Sequence, residues 1–111
     1  MQSGLDRLAA GFDDIVRGKR VALICNHTSI DRFARHAVEV LQSVPGVSID
    51  LLMGPEHGLW STHQDMEAVE SSGAVLDPVF KMPVTSLYGD NVHSLTPAPE
   101  LFSNIDLLVF D

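Results

Sequence analysis

Basic residues are scarce in this chain. Seven Lys and Arg face 15 Asp and Glu, a formal net charge of −8 over 111 residues. Non-specific binding to nucleic acid or to an anionic membrane surface calls for a basic patch, so neither partner is expected. A single cysteine, Cys25, rules out an internal disulfide; it lies in an apolar run, where a buried, inert thiol is expected. That usage fits cytoplasm and an exported, disulfide-free protein equally. No apolar run approaches the ~20 residues of a membrane helix. The start, Met1-Gln2-Ser3-Gly4-Leu5-Asp6, lacks the basic-then-apolar layout of a signal peptide. Also missing are a Gly-rich phosphate loop, a Gly-x-Ser-x-Gly elbow and a His-Glu-x-x-His. Their absence leaves no sequence signal for a nucleotide cofactor, for a serine nucleophile among Ser29, Ser61 and Ser86, or for a helix-borne zinc site.

What is present suffices for one core. The chain is 45% hydrophobic and only 20% charged, and its length fits one domain rather than two. Leu5, Leu8, Ala9, Phe12 and Ile15 recur at spacings of three and four, which predicts an amphipathic helix from Gly4 to Val16, weakened at Gly11. Val21-Ala22-Leu23-Ile24-Cys25 is a continuous apolar run of the buried parallel-strand type. Asp31 is expected to cap a helix running to Val44, with Phe33, Ala34, Ala37, Val38 and Leu41 inward. Pro45-Gly46 ends it, and Val47 to Met53 reads as a second strand. From Leu59 to Pro83 the pattern is irregular, with one helical turn expected over Gln64 to Val69. A short strand follows at Val84 to Tyr88, then a helix start with Thr96 as cap and a proline in its first turn. The last strand is Ile105 to Phe110, with Asp111 directly after it. The expected fold is α/β: a Rossmann-like, mainly parallel sheet flanked by helices, incomplete at its C-terminus. The stop at a strand's functional end leads us to expect a fragment.

In open α/β sheets, ligands bind at the carboxyl edge of the strands. Asn26-His27-Thr28 follows the first strand, Gly54-Pro55-Glu56-His57-Gly58 the second, and Asp111 the last. Glu56 and Asp111 are the sharpest pair, because a glycosidase needs one protonated carboxyl and commonly a second to activate water or attack the sugar. Burial at a strand end raises a carboxyl pKa, as a general acid requires. The same carboxylates would serve equally well as a turn cap and a partner for a neighbouring base. Asn26 and Thr28 suit a sugar hydroxyl or amide, or their own turn. Trp60 and Tyr88 suit stacking on a sugar ring or ordinary packing. His27, His57 and His63 with Glu56 make a conceivable zinc set, but without the spacing that would support it. His36 reads as a surface or helix-packing residue and His93 as a loop residue.

The chain resembles the amino-terminal part of the NamZ/YbbC-type proteins, regarded as exo-β-N-acetylmuramidases acting on peptidoglycan fragments. The resemblance is carried by Gly4-Leu5-Asp6, Gly18-Lys19-Arg20-Val21, Asn26-His27-Thr28-Ser29, Gly54-Pro55-Glu56-His57-Gly58 and Gln64-Asp65-Met66. Pro83 to Gly89, Pro97 to Leu101 and Ile105 to Asp111 continue it in family order. It implies residues 1–111 as part of a Rossmann-like catalytic domain, followed by a smaller C-terminal domain. It implies release of a terminal N-acetylmuramic acid, with a peptidoglycan-derived sugar as partner and no cofactor. Glu56 carries over as catalytic acid, with Asp111 or a carboxylate beyond it assisting. Asn26, His27 and His57 carry over as lining the site, and the expected substrate-binding set as a whole is Asn26, His27, Thr28, His57, Gln64, Asp65 and Tyr88. Phe80-Lys81-Met82 departs from the usual Thr-Gly-Leu before the proline, which leaves that loop's detail open. The rival readings are a metal-dependent hydrolase using His27, Glu56, His57 and His63, and a non-catalytic wall-sugar binding module. An unpaired last strand also invites self-association at the sheet edge.

Overall fold

The computed structural model describes residues 1–54, 75–76, 83–87 and 96–111. Within them the chain runs α1 (Gly4–Ala9), β1 (Arg20–Ile24), α2 (Ala37–Gln42), β2 (Ser48–Gly54), β3 (Val75–Leu76), β4 (Pro83–Ser86), a 3₁₀ turn at Pro99–Phe102, and β5 (Leu107–Phe110). The strands form one sheet in the order β3-β4-β2-β1-β5. β1 is parallel to β2 and β5, β2 is parallel to β4, and only β3 runs antiparallel, at the far edge. The expected α/β class and mainly parallel sheet are both seen.

Two helices differ from the periodic reading, each for a local reason. α1 begins as a reciprocal cap, with Asp6 N–H donating to Ser3 Oγ and Ser3 N–H to Asp6 Oδ2, both at 3.0 Å. It ends at Ala9 rather than Val16, since Gly11 takes a φ of +96° that a helix cannot continue through. The chain restarts in a new turn at Asp13, rotated so that Val16 is buried while Phe12 and Ile15 are 64% and 69% exposed. α2 begins at Ala37 rather than beyond Asp31. The buried Asp31 carboxylate accepts from the N–H groups of Phe33 and Arg35 (both 2.9 Å) and from Arg35 Nε (2.8 Å). Backbone amides committed to that side chain close a tight loop instead of a helix. Ala34 sits at its tip with φ +61° and Phe33 is 72% exposed. Ala37, Val38 and Leu41 are buried as expected, joined by Val40 and Val44. Near the end of the chain, Ala98 rather than Thr96 occupies the cap, with no side-chain bond, and Pro99 opens the 3₁₀ turn.

The core has a larger and a smaller side. Val21 and Leu23 of β1 and Leu52 of β2 meet α1 and α2 on one face, with Leu5, Val16, Val38 and Leu41. Ala22, Leu51 and Met53 occupy the other, with Ile24, Leu87, Phe102 and Ile105 against them. This assignment depends on one extra residue. The β1–β2 ladder pairs Val21 with Ile49 but Ala22 with Leu51, so Asp50 is bulged out. In an unbroken strand Ile49 and Leu51 would share a face. The bulge puts Ile49 with the helices and Leu51 beneath.

Candidate functional site

The four parallel strands stop together. Ile24 is level with Met53 and with Phe110, and Gly54 is level with Ser86. Three further amides extend the ladders past the strand ends: Cys25 N–H to the Met53 carbonyl (3.1 Å), Asp111 N–H to that of Ile24 (3.1 Å) and Leu87 N–H to that of Gly54 (2.8 Å). Strand order reverses at β1. From β1 the chain moves through α2 to β2 on one side, whereas β5 returns on the other. The crevice between β1 and β5 is therefore a topological switch point, where open sheets of this kind receive ligands.

The loop leaving β1 at that crevice is closely bonded. Asn26 Oδ1 accepts from Thr28 N–H at 2.9 Å and Thr28 Oγ1 at 2.6 Å, an Asx turn. Asn26 N–H donates to Ser29 Oγ at 3.2 Å, and Ser29 Oγ donates to the Asp111 carbonyl at 3.3 Å. The Asn26 carbonyl accepts from Ser29 N–H at 3.2 Å and from His36 Nε2 at 2.7 Å. Only the Asn26 amide nitrogen has no partner among the described residues. Its carbonyl oxygen is fixed by Thr28, so the NH₂ group is held in one orientation as a donor. Ser29 is buried, whereas His27, Thr28 and Asp111 are exposed.

The expected site residues thus divide. Asn26, His27 and Thr28 stand on the loop after β1, and Asp111 stands after β5 on the other side of the crevice, joined to that loop through Ser29. Glu56, His57, Gln64, Asp65 and Tyr88 lie outside the described residues, as do Trp60, His63, His93 and the expected turn at Gln64 to Val69. In sequence, Glu56 follows two residues after Gly54, the last residue of β2, which neighbours β1. Among the described residues no group of three or more His, Cys, Asp or Glu could hold a metal ion. Cys25 is fully buried in the core.

Two residues of the crevice carry more structure than their sequence context suggests. Ser29, for which the sequence has no nucleophile signal, bolts one loop to the end of another strand. His36, expected as surface or helix packing, is 7% exposed and caps α2 through Nδ1, which accepts from Val38 N–H at 3.2 Å. The signal for that cap was available: His36-x-x-Glu39 has the spacing of a capping box with an unusual first residue. Charge elsewhere on the loop is neutralised locally. Burial raises the Asp31 pKa, but the Arg35 and Phe33 amides and the Arg35 guanidinium outweigh it and hold the carboxyl below its usual range.

With this geometry in place, residues 21–111 match the family described as exo-beta-N-acetylmuramidase NamZ, N-terminal. The peptidoglycan beta-N-acetylmuramidase NamZ of Bacillus subtilis (strain 168) is 33% identical over 111 residues, 100% of this chain and 25% of that protein. The crystal structure of a DUF1343 family protein from Bacteroides fragilis NCTC 9343 superposes with a TM-score of 0.76 at 32% identity. That likeness covers 99% of this chain and 25% of the other. The chain spans about a quarter of the length of each relative.

Proposed function

The chain belongs to the NamZ N-terminal family, and from that premise we propose that it forms one wall of a glycosidase cleft. In the full-length protein this cleft releases terminal, non-reducing N-acetylmuramic acid from peptidoglycan fragments. The observation that carries the reading is the crevice between β1 and β5, where the Asn26 loop and Asp111 are joined at the sheet's carboxyl edge. Glu56, following the neighbouring strand, is the proposed acid that protonates the glycosidic oxygen. Asp111, or a carboxylate outside this chain, assists at the sugar carbon by activating water or by direct attack. Asn26, His27, Thr28, His57, Gln64, Asp65 and Tyr88 form the proposed sugar-binding set, in which the Asn26 amide nitrogen is a preset donor. Hydrogen bonds that already have their final geometry favour the transition state without reorganisation.

The test is turnover of a β-N-acetylmuramic acid glycoside by the full-length protein and by its Glu56→Gln variant. Loss of a general acid lowers turnover by about 10²–10⁴-fold. The loss is larger on a natural disaccharide than on an activated aryl glycoside, whose leaving group needs little protonation. Equal rates for wild type and variant on both substrates would remove Glu56 from the reaction. Binding of muramic acid fragments without any wild-type turnover would replace the enzyme by a binding module, and loss of activity with a chelator would favour the metal-dependent reading.

A further inference from the structure

We propose that His36 is a positioning residue for substrate recognition, acting through Asn26; this rests on the reading of Asn26 as a substrate-binding residue. Among the described residues the ring makes two bonds, each with fixed polarity. Val38 N–H can only donate, so Nδ1 at 3.2 Å must accept. The ring proton of the neutral imidazole is then on Nε2, and it is donated to the Asn26 carbonyl at 2.7 Å. One side chain therefore caps α2 and ties down the loop ten residues earlier in the chain.

Capping alone does not call for histidine. Ser, Thr, Asp and Asn are the preferred caps and use a polar atom close to their own backbone. None of them has a second donor on the far side of a rigid ring. That second donor meets Asn26, whose N–H, carbonyl and Oδ1 are all engaged while its amide nitrogen stays uncommitted among the described residues. Ser29 reinforces the arrangement from the other side, linking Asn26 N–H to the Asp111 carbonyl. His36 is buried in a helix terminus and presents no open face of its own. Its effect on a ligand passes through the orientation of Asn26.

Two variants of the full-length protein separate cap from tie. His36→Asn keeps a good cap and loses the reach to Asn26. His36→Gln is a poor cap, but its longer amide can donate to the Asn26 carbonyl. We expect His36→Asn to lower kcat/KM on a β-N-acetylmuramic acid glycoside about tenfold, roughly the worth of one well-aimed hydrogen bond, with near-wild-type thermal stability. His36→Gln should recover most of that turnover while melting lower. Unchanged kcat/KM in His36→Asn, or losses in both variants that follow their melting temperatures, would overturn the proposal. An independent readout is nitrogen NMR of the wild-type ring, where the Nε2-protonated tautomer is expected and the Nδ1-protonated tautomer would refute the tie. If the wild type does not turn over the glycoside, the proposed activity falls. The tautomer, and the shift of the Asn26 amide signals in His36→Asn, then decide the positioning claim alone.

Discussion

The turn that feeds β2 contains a close backbone contact whose cost can be worked out. Gly46 follows α2 with φ +75°, and Gly18 precedes β1 with φ +72°. The two glycines face each other, with Gly18 N–H donating to the Pro45 carbonyl at 3.3 Å. A Cβ on Gly46 would lie 3.0 Å from Gly18 Cα and 3.3 Å from its nitrogen, while a Cβ on Gly18 would meet nothing within 4 Å. Both Gly→Ala changes incur the left-handed penalty of about 1–2 kcal/mol, partly offset by about 0.4–1 kcal/mol from a less flexible unfolded chain. Gly18→Ala should therefore destabilise by about 0–1.6 kcal/mol. Gly46→Ala adds overpacking against backbone that cannot rotate away, about 1–3 kcal/mol, for a total of about 1–4.6 kcal/mol. Urea unfolding followed by circular dichroism separates the two, and the melting difference is about 4–8 °C per kcal/mol in a domain near this size. Both glycines lie at the amino edge of the sheet, opposite the crevice, so the activity proposed for the full-length protein should not change per folded molecule. Equal destabilisation by the two variants would refute the steric argument.

Two further outcomes follow from β5. Asp106, just before that strand, takes Arg20 N–H (2.9 Å), Nε (3.1 Å) and Nη2 (3.0 Å), and these bonds lower its pKa from 3.8 to about 2. A depressed carboxylate stabilises the fold above its unfolded pKa and loses that contribution as pH falls from about 4 to about 2. Asp106→Asn should therefore flatten the acid limb of the stability–pH curve in that window, and an identical slope would remove the Arg20 pair as its cause. At the other end, Leu108 is 52% and Phe110 76% exposed, on a strand with one neighbour among the described residues. An apolar open edge invites pairing with a second copy. Sedimentation of the 111-residue chain should show concentration-dependent association that Phe110→Lys suppresses; a monomer throughout the micromolar range would contradict this.

Sequence reading succeeded where one local cause dominates. Val21 to Cys25 reads as a buried strand, the structure has one at Arg20–Ile24, and the polar residues after it emerge at the sheet's carboxyl edge. It failed where a side chain or a single torsion competed with periodicity. Gly11 stopped α1, so the exposed Phe12 and Ile15 mimicked an inner stripe. Asp31 looked like a cap, yet its oxygens captured amides that a helix would have needed. The bulge at Asp50 was invisible because Ile49-Asp50-Leu51-Leu52-Met53 has no clean alternation to break. In the site, strand polarity placed Asn26, His27, Thr28 and Asp111 at one edge but could not supply neighbours. That β5 lies beside β1 rather than beyond β4 is a long-range choice with no local signature. The His36–Asn26 bond spans ten residues and depends on a tautomer, which composition does not encode.

The placement of β5 ties the two sides of the crevice together although both of its strands are short. A four-residue strand with one neighbour among the described residues has few ladder bonds to hold it. This one is also fixed just before its start, where the Asp106 carboxylate grips Arg20 and Asp106 N–H donates to the Arg20 carbonyl at 2.8 Å. Beyond its end, Asp111 N–H donates to Ile24 while the Asp111 carbonyl accepts from Ser29. The second clamp is made from the loop that carries Asn26, so β5 cannot shift along β1 without disturbing that loop. Catalytic groups a single ångström out of place lose much of their effect. A carboxylate after β5 and an amide after β1 are therefore located by the same few bonds, and those bonds run through Ser29 rather than through either proposed functional side chain.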